Sequence, residues 1–221
     1  MTPSIFFAQL REMTERFDPR YHSPAFAANL YHIRRGRWCS LAECCEISTE
    51  TWDRVSMFPD QFPYVEIAAI NTDDGEISAV ESLPTAEAPS RAQMIVRSGD
   101  VLVSTTRPTR NAIARVSDEI GTAIASTGFA VIRAINGDIV SPDYFFHALR
   151  FNFCTMQFDQ RSSGGNYPAI TKDDLRKTII PVPSPEVQRQ IVAELDAAYA
   201  AKRAADEKAT KLLASIDGVA R

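Results

Sequence analysis

Two short polar stretches hold the side chains best suited to recognise a ligand. Thr105-Thr106-Arg107-Pro108-Thr109-Arg110-Asn111 sets two Arg, an Asn and three Thr between apolar runs. Arg161-Ser162-Ser163-Gly164-Gly165-Asn166-Tyr167 adds an Arg, two Ser, an Asn and a Tyr. Its glycine pair lets backbone N–H groups approach phosphates. Arg offers paired donors that fit guanine, Asn fits adenine, and Ser or Thr suit a base or a phosphate. These stretches are therefore the candidate nucleic-acid-binding residues. The same residue types also make up ordinary solvated loops, so composition alone leaves both readings open.

Catalytic chemistry has no comparable foothold. There is no glycine-rich methyl-donor loop after a strand, no Asn-Pro-Pro-aromatic tetrapeptide and no phosphate loop ending in GK[ST]. Asn166-Tyr167-Pro168 is not such a tetrapeptide. Pro59-Asp60 with Glu66 begins like a nuclease carboxylate pair, but Ala68 stands where the lysine belongs. His22, His32 and His147 are scattered. Cys39, Cys44 and Cys45 with His32 lack the paired spacing of zinc sites, so inert thiols are expected there and with Cys154. No catalytic residue, metal site or cofactor is assigned. The expectation is a non-catalytic protein.

The elements that must position the two loops follow from local pattern. Phe6, Phe7, Leu10, Met13 and Phe17 recur at helical spacing, Asp18-Pro19 breaks the run, and a second helix is expected from Ser23-Pro24 to Arg35, ending at Gly36. Arg34, Arg35 and Arg37 cluster at its end. Trp38 to Ser48 includes a short helical turn. Strands are expected over Tyr64–Ile70, Val101–Val103, Ala112–Val116, Ala123–Ala125 and Phe129–Ile135. Thr72-Asp73-Asp74-Gly75 is a turn, Ser82–Ser90 reads as loop, and Phe145–Phe151 as helix. Asp173–Val182 is a short turn or helix running into an apolar strand bounded by Pro181 and Pro183. About six strands and three or four helices without a regular βαβ repeat predict a mixed α+β domain over residues 1–184.

The pattern changes at Ser184-Pro185-Glu186, where a serine cap, a first-turn proline and an acid open a helix. Ile191, Leu195, Ala198, Lys202, Ala205, Ala209, Leu212 and Ile216 then alternate at steps of four and three. This is a heptad seam. Residues 185–217 form one helix on the order of 50 Å long, stopped by Gly218. A seam of that length calls for a second helix, so these eight residues are the expected homodimer interface. Three alanines permit close approach, and Lys202 is a polar residue of the kind that sets register.

Several of these segments, taken in order, resemble the specificity subunits of type I restriction-modification systems. Gly99-Asp100-Val101-Leu102-Val103-Ser104 resembles that family's GD strand. Ser141-Pro142-Asp143-Tyr144-Phe145 resembles its helix start, and Pro63-Tyr64-Val65-Glu66-Ile67 its first strand. The Ser/Gly loop is followed by Ala169-Ile170 through Leu175, then Ile180-Pro181-Val182-Pro183, then Gln188 or Gln190 and Ile191-Val192. The likeness runs from Tyr64 to Leu195. One departure stands out: Arg107-Pro108-Thr109-Arg110-Asn111 replaces an R-G-T-x-G pattern. The resemblance implies a target-recognition domain followed by a helix that pairs as an antiparallel coiled coil. It implies a half-sized specificity subunit that homodimerises, reads half of a split site on double-stranded DNA, and docks methyltransferase subunits and, where present, restriction subunits. A non-DNA coiled-coil adaptor and the recognition segment of a fused restriction-methylation enzyme are the alternatives. A natural Met1 opening a complete reading frame would argue against the fused form.

Charge is consistent with that implication without demanding it. The 221-residue chain has net charge -4, which disfavours bulk nonspecific nucleic-acid binding. Its distribution is uneven: seven acids and no Lys or Arg over 55–90, then five Arg and one acid over 91–115. One basic face on an acidic molecule is thereby allowed. No apolar run approaches a membrane span and no signal pattern opens the chain, so a cytoplasmic location is expected.

Overall fold

The computed structural model describes residues 16–219. The expected first helix, with Phe6, Phe7, Leu10 and Met13, lies outside them. Phe17, the last of that series, is not helical and is exposed. The chain divides into two units, Met1–Pro183 and Ser184–Arg221.

Asp18 ends the leading segment by accepting the Arg20 N–H at 2.9 Å, capping a 3-10 turn over Pro19–His22. Ser23-Pro24 then opens helix α1, Pro24–Arg34, which buries Phe26 and Ile33. Next come β1 (Trp38–Ser40), the helical turn α2 (Leu41–Cys44) and β2 (Glu46–Ser48). The turn is held by a capping box: Glu43 accepts both the Ser40 N–H and hydroxyl at 2.7 Å. Sequence periodicity finds the turn but not its flanking three-residue strands, which are too short to alternate.

A second turn, α3 (Arg54–Met57), leads to β3 (Gln61–Val65), β4 (Glu81–Pro84) and β5 (Ala92–Val96). Two expectations need correcting here. The strand read over Tyr64–Ile70 stops at Val65 and turns into a 3-10 segment, Ile67–Ala69. The segment read as loop over Ser82–Ser90 contains most of β4, which pairs antiparallel with β3 from Gln61↔Pro84 to Tyr64↔Glu81. Pairing, not alternation, makes that strand.

Strands β6 (Val101–Ser104), β7 (Ile113–Arg115), β8 (Ala123–Ser126) and β9 (Phe129–Arg133) follow the expected segments. Gly99 makes the turn into β6 at φ +84°, a left-handed conformation that glycine adopts without a Cβ clash. Two four-stranded sheets result, ordered β2-β9-β6-β7 and β4-β3-β8-β5. Only β3 and β8 run parallel among the described pairs. Val65, Met94 and Ala125 from the second sheet share one core with Leu102, Ala114 and Val131 from the first. The second sheet's other side buries Trp52 against Phe62 and Tyr64, with the Trp52 indole N–H donating to the Ala92 carbonyl at 2.8 Å. Burying a side chain such as Phe62 or Phe129 completely is worth about 1.5–3 kcal/mol.

The chain then becomes helical: α4 (Pro142–Arg150), α5 (Asn152–Arg161) and α6 (Lys172–Arg176), before strand β10, Ile179–Pro181. Ser141 caps α4 by accepting the Tyr144 N–H at 3.2 Å. β10 pairs antiparallel with β1, Cys39 opposite Ile180. Gln157, fully buried on α5, locks that ribbon: its amide donates to the Ile179 carbonyl at 2.7 Å and accepts the Ile179 N–H at 2.9 Å. Cys39, Cys44 and Cys154 are buried free thiols, and burial pushes the Cys154 thiol well up. The second unit is one helix, α7, Pro185–Val219. It continues through Gly218, the expected stop. No helix among the described residues is long and apolar enough to cross a membrane.

Candidate nucleic-acid interface

The two polar loops come together. Beyond β6, Thr105 donates its N–H to the Gly128 carbonyl at 2.8 Å, and its own carbonyl accepts the Ile170 N–H at 2.9 Å. The Arg107 N–H reaches the Pro168 carbonyl at 2.6 Å, and Thr106 bridges Ala169. Ala169 in turn exchanges two backbone hydrogen bonds with Ser163, at 2.8 and 2.9 Å. Residues 105–107, 163 and 168–170 therefore form one small irregular patch of sheet. The first loop emerges beside the second although about 60 residues separate them in the chain.

Within the first loop the backbone is strained at both ends. Arg107 (φ 49°, ψ 52°) and Asn111 (φ 60°, ψ 31°) are left-handed and flank a 3-10 turn over Pro108–Arg110. A non-glycine residue there costs about 1–2 kcal/mol. Asn111 occupies the position where the R-G-T-x-G pattern has its second glycine. Asparagine tolerates that conformation better than most residues. Its side chain donates to the Arg150 carbonyl at 3.1 Å, so Asn111 shapes the loop and ties it to α4. Pro108 is buried, whereas Thr109 and Arg110 are exposed.

In the second loop, Gly164 has φ +104°, and a Cβ there would meet the Tyr167 carbonyl oxygen at 3.0 Å. Gly165 faces open space, and Ser163, Asn166 and Tyr167 are exposed. Tyr167 is 70% exposed, yet its ring is covered by the Arg107 guanidinium, 4.3 Å from ring centre. That guanidinium also donates to the Asn166 carbonyl at 3.2 Å. The cation of one loop thus lies on the aromatic of the other.

Two expected loop residues are placed elsewhere. Arg161 is not a cation at the loop's entrance. It ends α5, is buried, and donates to the Gln157 and Lys177 carbonyls at 3.3 and 3.4 Å. Ser162 is likewise buried, its hydroxyl donating to the Asp159 carbonyl at 3.1 Å. Both side chains fasten the base of the loop, because the carbonyls at a helix end need donors.

Both loops line a cleft of about 460 Å³. Thr106, Arg107, Arg110 and Tyr167 are their contribution; Glu66, Ile67 and Arg91 line it too, with Ile70 and Ala112 among the apolar lining. Arg91 and Glu66 pair at 3.1 Å. Thr72 also lines the cleft, held by Arg150, whose guanidinium donates to the Thr72 carbonyl at 3.2 Å and to the Asp74 carbonyl. Three arginines against one glutamate make the cleft cationic. Thr72, Arg91 and Ser126, which also lines the cleft, carry no site signal of their own in the sequence, and Glu66 reads there only as half of a carboxylate pair. The only signal was the arginine-rich run that begins at Arg91. Arg34, Arg35 and Arg37 are exposed, and Arg34 lies 5.7 Å over the Trp38 ring.

On α7, Ile191 and Leu195 are half-buried, whereas Ala198, Lys202, Ala205, Ala209, Leu212 and Ile216 are exposed. Lys202 is within 3.8 Å of Asp206 on the same helix.

A family model described as the type I restriction modification DNA specificity domain matches residues 39–212. The specificity subunit of type I restriction enzyme HindI, from Haemophilus influenzae (strain ATCC 51907 / DSM 11121 / KW20 / Rd), is 31% identical over 139 residues. That match covers 58% of this chain and 29% of the relative. The crystal structure of the HsdS subunit from Thermoanaerobacter tengcongensis is 40% identical, with TM-score 0.66, over 76% of this chain and 43% of that one. A chain from a structural study of complex assembly and conformational transition of the type I R-M system is 40% identical with TM-score 0.67, over 77% and 44%. The chain thus spans less than half the length of each of these relatives.

Proposed function

Because this chain belongs to the type I restriction-modification DNA specificity family, we propose that it is a DNA-reading component of such a system. Its first unit reads one half of a split target on double-stranded DNA. Its long helix α7 pairs with a second copy, and the assembled pair docks methyltransferase subunits. The observation that carries the reading is the joining of the two polar loops into one cationic cleft, with Arg107 on Tyr167. A solvated loop pair would have no need of a strained arginine. The members for DNA contact are the half-buried Thr106 and Arg107 and the exposed Thr109, Arg110, Ser163, Gly164, Gly165, Asn166 and Tyr167. Arg161, Ser162 and Asn111 support the loops from behind, and Thr105 anchors the first loop to Gly128. The reading assigns the chain no catalysis of its own.

The test is selection from a randomised duplex library by the chain assembled with its methyltransferase subunits, at fixed salt. A defined bipartite sequence is expected, with methyl transfer only when the methyltransferase subunits are present. Selection of no sequence, with the complex intact, overturns the DNA-reading role and favours a coiled-coil adaptor. Methyl transfer by the isolated chain overturns the non-catalytic reading.

A further inference from the structure

Arg107 and Arg110 lie three residues apart and line the same cleft, yet they are held very differently. Arg107 starts from a left-handed backbone, donates its N–H to Pro168 and lays its guanidinium over Tyr167 at 4.3 Å, with one further hydrogen bond to the Asn166 carbonyl at 3.2 Å. Two contacts from the second loop thus hold the guanidinium itself, and two backbone features set where its side chain starts. Arg110 is exposed, and its side chain has no partner among the described residues. Reading a base edge requires a donor pair fixed in position and plane, whereas a phosphate accepts a mobile cation from many directions. The cation–π contact takes up none of the guanidinium N–H bonds, and the Asn166 carbonyl uses one of them. The remaining in-plane donors keep the parallel pair that matches guanine O6 and N7.

We propose that Arg107 reads a guanine in the major groove, that Tyr167 is the residue that positions it, and that Arg110 contacts a phosphate. This rests on the DNA-reading role proposed above. Strain at Arg107 fits the assignment, since a residue held left-handed by its surroundings is one whose side-chain direction those surroundings set.

The experiment measures the assembled complex on the selected duplex and on every single-base variant of it, at several salt concentrations. Arg107→Ala and Arg107→Lys are both expected to lose roughly 5- to 160-fold of discrimination at one G·C pair, the worth of a bidentate Arg–guanine contact. Tyr167→Ala loses a smaller share at that same pair, about two- to fivefold, in line with an exposed cation–π contact. Tyr167→Phe keeps the stacking face and restores wild-type discrimination. Arg110→Ala weakens all duplexes alike and lowers the salt slope by about one. Thermal midpoints of the conservative variants Arg107→Lys and Tyr167→Phe stay near wild type, which separates reading from folding. The assignment is overturned if the Arg107 variants weaken all sequences equally, or change an A·T position, or change nothing. Tyr167→Ala with full discrimination removes its positioning role. A wild-type complex with no sequence preference is a different outcome, because it defeats the DNA-reading role itself.

Discussion

The Arg133 guanidinium grips the buried Asp100 carboxylate with two hydrogen bonds, Nε to Oδ1 at 2.8 Å and Nη2 to Oδ2 at 2.6 Å. Asp100 also accepts the Arg97 N–H at 2.9 Å, closing the turn into β6. Arg133 adds a hydrogen bond to the Ile95 carbonyl at 3.2 Å and an ion pair with Glu50 at 3.0 Å. The aspartate of the Gly-Asp step is therefore structural. It joins β6 to β9 and to the end of β5, in the frame from which the Arg107 loop springs. Asp100→Ala should destabilise the protein by about 2–3 kcal/mol. That is below the 3–5 kcal/mol of a fully buried broken pair, because Arg133 is partly exposed and keeps Glu50. Urea unfolding of the two proteins, compared at equal slope, measures the difference.

Gly75 makes the turn that brings Thr72 to the cleft. Its φ is +80°, and a Cβ would lie 2.7 Å from both the Ile113 carbonyl oxygen and the Phe146 ring. Gly75→Ala therefore combines left-handed strain with a backbone clash. We expect a loss of about 2–3 kcal/mol, together with weakened target binding, since Arg150 holds the Thr72 and Asp74 carbonyls of the same turn. A thermal midpoint at the wild-type value would show that the turn relaxes freely.

Tyr144 on α4 is buried, and its hydroxyl donates to the Pro181 carbonyl at 3.0 Å. Burial pushes its pKa up to about 12, against an ordinary value of 10.0. The folded state thus favours the neutral phenol. Its contribution to stability is complete below about pH 10 and is lost as pH rises toward 12. Tyr144→Phe should cost about 1 kcal/mol at neutral pH through the lost hydrogen bond. It should also flatten the alkaline decline. Unfolding midpoints from pH 8 to 12, on the order of the window set by those two values, test this; parallel curves for both proteins would contradict it.

Leu212, Leu213 and Ile216 are 61%, 63% and 56% exposed on α7. Apolar residues at heptad spacing on a long helix lose that exposure when a second helix covers them. We expect the wild-type chain to sediment as a dimer. Leu195→Asp with Leu212→Asp should give monomers by placing charges in the seam, and Leu212→Asp alone, at an exposed position, should weaken association without unfolding the chain. A wild-type monomer at every concentration tested would sink the paired-helix assembly.

What the amino-acid sequence determines by itself is what neighbours along the chain decide. The Ser141-Pro142-Asp143 cap, the Gly99 turn, the alternation that makes β6 to β9 and the steps of three and four along α7 are all local. Each is legible because its partner groups lie within a turn or a strand. The two polar loops were legible by composition for the same reason, but their meeting was not. Strand β1 needs Ile180, 141 positions from Cys39, and β4 exists because β3 lies beside it. Arg107 finds Tyr167 only because Ala169 bridges both Thr106 and Ser163. Charge places Arg161 at the surface, yet the carbonyls of Gln157 and Lys177 hold it inside. Such pairings depend on loop closure and on which backbone groups remain unsatisfied once the chain has folded. Only the tertiary structure decides them, and through them which arginine faces the cleft and which one holds the scaffold behind it.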